Sequence, residues 1–178
     1  MSAADAATTA SQALELTRWT VTSGSNVQSR GAVVIDAGNH HWRASAEGNG
    51  AVDALFNAVD AALAEVLDGR PRLVGYDVHA LGQGHEAEGL VMVAVEPPVG
   101  LEGGRSGGLF QGTARSTNIV ASSIEAYIEA LNSMLAEPAW AGAAESAAKD
   151  RRKGPETHGR RGEIDRSAKD DTAPWFDR

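Results

Sequence analysis

The stretch GNGAVDALFNAVDAALAEV, residues 48–66, decides the fold. After a turn that contains two glycines, its apolar residues recur at spacings of three and four, as they do on one face of an α-helix. The polar residues fall mostly on the opposite side, so we expect one amphipathic helix with a single buried face. The apolar stripe consists of Val52, Leu55, Phe56, Val59, Leu63 and Val66, and the polar side consists of Asp53, Asn57, Asp60 and Glu65.

The residues before this helix predict three strands. Segments 14–22, 29–36 and 40–46 carry Val, Ile, Thr and Trp and are separated by Gly- and Asn-containing turns. The same order of elements, three strands and then a helix, is predicted after the first helix. Strands are predicted at 73–81, 88–96 and 109–114, and a second apolar stripe then runs from Val120 to Leu135, after the capping residues Ser116-Thr117-Asn118 and before Pro138.

The two halves also match residue by residue. At an offset of 68, Val52 corresponds to Val120 and Leu63 corresponds to Leu131. A helix with one apolar stripe and a sheet with one apolar face cannot both be hidden within one half, so the halves must pack together. The predicted fold is α+β, with two pseudo-twofold-related βββα units whose helices pack on antiparallel sheets.

Composition narrows the class of protein. With 178 residues the chain is shorter than the roughly 200 that a (β/α)₈ barrel needs. It has no cysteine, which excludes disulfides and thiolate chemistry. It has no apolar run near the ~20 residues of a membrane span, and its first residues lack the pattern of a secretion signal. These features predict a soluble protein of the cytoplasm.

Charge divides the chain into a body and a tail. Residues 1–138 hold seven arginines, no lysine and 16 acidic residues, a net charge of −9 that disfavours nucleic-acid binding. Residues 139–178 mix both charge signs with few aliphatic residues, a composition typical of disorder. We therefore expect a disordered N-terminus at 1–13, one domain at 14–137 and a disordered charged tail at 138–178.

Three ordered motifs carry a family resemblance. They are GNGAVDAL at 48–55, YDVHALG at 76–82 and GTARSTNIVAS at 112–122. Over about residues 14 to 136 the chain resembles the C-terminal regulatory (allosteric, dimerisation) domain of α-isopropylmalate synthase. The resemblance implies a homodimer of paired βββα units that binds an end-product amino acid, leucine in those synthases. The catalytic barrel of that family is missing from the sequence, so we expect a free-standing domain with no catalytic residue, no metal site and no cofactor.

A zwitterionic branched amino acid needs donors for its carboxylate, acceptors for its ammonium group and an apolar pocket for its side chain. Gly48-Asn49-Gly50 precedes a helix, where free N–H groups and the helix dipole favour the carboxylate. The same turn is also compatible with a plain helix entry capped by Asn49. The resemblance implies that the pocket includes Val52, Asp53, Leu73, Tyr76, Ala80, Ala87, Ala114 and Ser116, with polar contacts from Tyr76 and His79. As plain structure, Tyr76 is a buried strand aromatic and His79 a packed histidine.

Departures from the family pattern leave alternatives open. Ala51 replaces a proline, Ala114 replaces a glycine and Asn118 replaces an aspartate, so the effector is leucine, another amino acid or an oxo acid. Two alternatives to an effector-binding domain are a structural dimerisation module and the small regulatory subunit of a split acyl-transferring synthase. A barrel-containing synthase acting in trans is a possible partner, whereas nucleic acid and membranes are not expected. His40 and His41 point to opposite faces of a strand, which argues against a metal site.

Overall fold

A computed structural model describes residues 13–99 and 108–152, with side chains described as far as residue 150. Two βββα units follow one another along the chain. The first unit contains β1 (Glu15–Gly24), β2 (Val27–Ala37), β3 (His40–Gly48), α1 (Ala51–Ala62) and α2 (Ala64–Leu67). The second unit contains β4 (Arg72–Leu81), β5 (Glu88–Glu96), β6 (Phe110–Ser116) and α3 (Ile119–Leu135).

Each unit forms its own three-stranded antiparallel sheet, in the order β1-β2-β3 and β4-β5-β6. Side chains alternate between the two faces of each sheet, and the central strands bury theirs on the helix side. In β5, for example, Val91, Val93 and Val95 are almost completely buried. Helix α1 packs on β2 and β3, α3 packs on β5 and β6, and the two helices contact each other. The predicted α+β fold of two βββα units is confirmed.

Close packing of the helices depends on glycine in the strands, most clearly at two positions. A Cβ atom added at Gly48 would overlap the backbone of Ala54 in α1, and one added at Gly112 would overlap Ala126 O and Ala130 N in α3. The helix backbones therefore lie directly against the strands at these points. Gly48, which the sequence suggested for close approach to a ligand, is buried under its own helix.

The duplication extends to an irregularity of the sheets. The register of β1 with β2 shifts between Leu16 and Arg18, and the register of β4 with β5 shifts between Leu73 and Gly75. A β-bulge of this kind inserts one residue and changes which side chains share a face. Both outer strands carry it at the same place, which supports the internal repeat seen in the sequence.

The C-terminal segment differs from the prediction. Residues 138–152, expected to be disordered, form a 3₁₀ helix (Pro138–Trp140) and helix α4 (Ala143–Arg152), which packs on α2. Trp140 is only 3% exposed and joins the core, and four alanines of α4 are also buried. Alanine is only weakly hydrophobic, so the four alanines did not stand out as a helical stripe among the charged residues of this segment. Residues 1–12, 100–107 and 153–178 lie outside the described residues, and the disorder expected at 1–12 and 153–178 stays a prediction.

Candidate functional site

An apolar strip of β4 is exposed on the face of the sheet that the helices cover elsewhere. Leu73, Tyr76, Val78 and Ala80, here called the β4 strip, stand opposite Val95, Val93, Val91 and Gly89 of β5. Those partners are buried beneath α3, whereas Leu73, Tyr76 and Val78 keep 44, 38 and 43% of their surface exposed. The difference arises because α3 packs on β5 and β6 and leaves the edge strand uncovered.

The bulge in β4 determines which predicted site residues share this strip. Because one extra residue lies between Leu73 and Gly75, Leu73 falls on the same face as Tyr76 despite their odd spacing. His79 is three residues from Tyr76 with no bulge between them, so it lies on the opposite face, across from Leu90. The structure therefore brings Leu73, Tyr76 and Ala80 together and places His79 away from them. Strand alternation alone could have given this result for His79.

Tyr76, within the strip, contacts both long helices. Its hydroxyl lies 2.7 Å from Ser123 Oγ, and Ser123 donates its own proton to the Ile119 carbonyl at 2.6 Å. Tyr76 is therefore the donor to Ser123. Its ring also meets Phe56 of α1 edge-to-face, with 6.2 Å between ring centroids. Val52 lies one helical turn before Phe56, is half-buried and packs against the core.

An acidic side chain of α1 holds the turn that precedes the helix. Gly50 is the N-cap residue in an extended conformation, with no side-chain capping bond. The backbone N–H of Asn49 instead donates to Asp53 Oδ2 at 2.8 Å. Asn49 is thus not the cap that the sequence suggested. The Asp53 carboxylate is exposed and lies at the positive end of the α1 dipole.

The remaining predicted positions lie around the start of α3. Ser116 Oγ accepts from the Asn118 N–H at 3.0 Å, and Asn118 Oδ1 caps α3 by accepting from Val120 N at 3.0 Å. The capping role expected for this segment is confirmed. Ser116 stands in one row with Gly89 and Ala80 across the sheet, and the Ile119 side chain covers Gly89.

Two predicted residues lie at the margins of this arrangement. Ala114 is half-buried on the helix side of β6, opposite Val91. Ala87 belongs to the turn between β4 and β5, where its N–H donates to Gly84 O.

One buried polar cluster was missed by the sequence. Asp60, expected on the polar side of α1, is 8% exposed and accepts from the Tyr127 hydroxyl at 2.6 Å. Its other oxygen lies 3.1 Å from Arg70 Nε. Burial raises the pKa of Asp60, while the Tyr127 hydrogen bond and the Arg70 charge oppose that rise. Asp60 follows Phe56 by one turn, and that spacing was the available signal of a position facing α3.

The described residues contain neither a cluster of metal ligands nor a membrane-spanning helix. Within 13–99 and 108–152, no three His, Cys, Asp or Glu side chains gather closely enough to hold a metal ion. The helices in these same ranges are too short or too polar to cross a bilayer.

Comparison with known proteins decides the family. Residues 2–135 match the model of the LeuA allosteric (dimerisation) domain. The chain belongs to this family. The resemblance found in the three sequence motifs is confirmed, and so is the similarity to 2-isopropylmalate synthases.

Curated relatives of this LeuA-type domain are 2-isopropylmalate synthases. The domain is 43% identical over 89 residues to that of Sediminispirochaeta smaragdinae, covering 50% of this chain and 15% of the relative. It is 38% identical over 92 residues to that of Salinibacter ruber, covering 51% and 14%. It is 33% identical over 116 residues to that of Yersinia pestis, covering 65% and 20%. The chain thus spans a fifth or less of the length of these relatives.

Proposed function

We propose that this LeuA-type domain is a non-catalytic regulatory module that forms a homodimer and binds a small branched-chain amino acid of the leucine type. The β4 strip carries the proposal, because it is an apolar surface left open on the face of the sheet that is otherwise buried. The family and the synthases that resemble it support a place in the control of branched-chain amino-acid synthesis. The proposed regulated partner is a barrel-containing synthase.

The groups around the strip suit such a ligand. Leu73, Val78 and Ala80 offer apolar contact for a branched side chain. Asp53 offers an acceptor for the ammonium group, and the first N–H groups of α1 offer donors for the carboxylate. The Tyr76 side chain, held against Phe56 and Ser123, limits the length of side chain that fits.

Isothermal titration with leucine, isoleucine, valine and lysine tests the proposal directly. We expect heat with at least one branched-chain ligand and none with lysine, whose charged end would have to leave water. Val78→Asp places a charge on the strip and should abolish binding. Met92→Asp places the same charge on the opposite face of the sheet and should leave it unchanged, with circular dichroism checking both folds. The absence of heat with all three branched-chain amino acids at millimolar concentration would refute effector binding.

A second candidate is a structural dimerisation module without an effector. Apolar side chains are exposed on β4 beyond the strip itself, including Val74 and Leu81 at 42 and 40%. An edge strand with apolar surface of this kind favours contact with another protein. Light scattering together with the titration distinguishes the candidates, because a dimer that forms without any amino-acid binding supports the structural role alone.

A further inference from the structure

We propose that Asp60 and Tyr127 are positioning residues for the amino-acid site, holding β4 and Phe56 where they place Tyr76 within the strip. The effect on ligand affinity rests on the function proposed above, whereas the anchoring of β4 does not.

Three rings connect the strip to the middle of the molecule. Phe56 of α1 stacks on Tyr127 of α3, with ring centroids 4.4 Å apart and planes at 21°. The edge-to-face contact of Phe56 with Tyr76 then places the Tyr76 ring relative to this stack. A shift of Tyr127 would therefore move Phe56, which is the surface that Tyr76 rests on.

A single carboxylate joins three parts of the fold. Asp60 of α1 accepts from Tyr127 of α3 and pairs with Arg70, which lies two residues before β4 begins. Arg70 also donates through Nη2 to Asn57 Oδ1 at 3.2 Å, one turn earlier on α1. The residues just before β4 follow Asp68 and Gly69, and Asp68 has a left-handed backbone with a φ of 50°. The start of β4 is thus tied to α1 by side chains rather than by helix or sheet hydrogen bonds.

The duplicated half shows that the fold itself does not require this carboxylate. The offset of 68 that relates α1 to α3 places Ile128 at the position of Asp60, and Ile128 is a buried apolar residue. Tyr127 in turn corresponds to Val59. Among the described residues, this polar bridge lies beside β4 and has no counterpart at the corresponding position of the other half. Since an ion pair with one exposed partner adds little net stability, stability alone does not account for it.

Asp60→Ile copies the residue of the other half and tests the inference. We expect the variant to fold, because its side chain resembles Ile128 and the freed Arg70 side chain is 65% exposed to water. Amide hydrogen exchange in β4, residues 72–81, should accelerate about tenfold, while β5 keeps its protection. The dissociation constant for the bound amino acid should rise about tenfold, the range of an indirect coupling between neighbouring elements.

Two further variants keep the test decisive. Tyr127→Phe removes one hydroxyl and keeps the stacked ring, so it should loosen β4 in the same direction even if Asp60→Ile does not fold. Asp60→Asn keeps an acceptor for Tyr127 but removes the charge that holds Arg70, and its β4 should exchange as fast as that of Asp60→Ile. A folded Asp60→Ile with unchanged β4 exchange would overturn the inference. If the wild type binds no amino acid, the proposed function fails, and the exchange data still decide the anchoring.

Discussion

The contact between α3 and its sheet leads to a sharp prediction about two glycines. Gly112→Ala adds a methyl group that would lie 2.9 Å from the Glu129 carbonyl carbon and closer still to Ala126 O and Ala130 N. All three are helix backbone atoms, which cannot rotate away. Helix α3 would have to lift from β6, and we expect a loss near the upper end of the overpacking range, about 3 kcal/mol.

Gly89→Ala is the matched control, because it adds the same atom to the next strand. There the methyl group would overlap the Cδ1 atom of Ile119, the flexible tip of a half-exposed side chain. Rotation of Ile119 relieves that overlap, so we expect a cost below about 1 kcal/mol.

Urea denaturation followed by tryptophan fluorescence measures both differences. For a domain of this size a loss of 3 kcal/mol corresponds to a fall in melting temperature of about 10 °C. A Gly112→Ala protein within 1 kcal/mol of the wild type, or a Gly89→Ala protein equally damaged, would refute the packing argument.

Three other predictions follow from single side chains. Asn118→Ala removes the cap of α3 and should cost about 1 kcal/mol in the free energy of unfolding, measured by chemical denaturation. Trp140→Ala should cost about 3 kcal/mol and release α4, seen as faster proteolysis after residue 137 while β2 and β5 keep their exchange protection. Burial raises the pKa of Asp60 above its ordinary 3.8, so its contribution to stability is fully present below that value and is lost as the pH rises through the folded-state pKa. Relative to Asp60→Asn, the wild type should therefore lose free energy of unfolding as the pH rises above 4. A wild type that becomes more stable than the variant as the pH rises would contradict this sign.

The fold was predictable because its local signals agree. Alternating strands, two helical stripes and glycine-containing turns gave the six strands and both long helices to within a few residues. The break at Leu63, with φ −101° and ψ 9°, divides what the stripe predicted as one helix. It carries no glycine or proline to announce it.

The site was less predictable because burial depends on partners far away in sequence. Alternation shows which residues share a face of β4, but not that α3 leaves this face open. Asp60 was misplaced for a related reason. The apolar stripe of α1 marks the side that meets the sheet, whereas Asp60 lies on the flank that meets α3, and a single helix does not reveal which flank its partner will cover.

The two halves of the duplication differ most in their outer strands. Leu16, Trp19 and Val21 of β1 take the places that Leu73, Tyr76 and Val78 take in β4, but they are half-buried and pack on the core.

Two features accompany this difference, since both long helices contact β1 and the chain just before β1 is held against α3. Leu14 is buried at 4% exposure, and its backbone N–H and carbonyl are both held by the Asn132 side chain, at 2.7 and 2.9 Å. The 68-residue offset places Ala64 where α3 has Asn132, and alanine has no group that could hold a chain in this way. The first strip is therefore closed by its own chain, and the second is left for a ligand or a partner. The repeat could have made two equivalent open surfaces, but only the β4 strip is open among the described residues. The Asp60 bridge to Tyr127 and Arg70 lies beside that open strip.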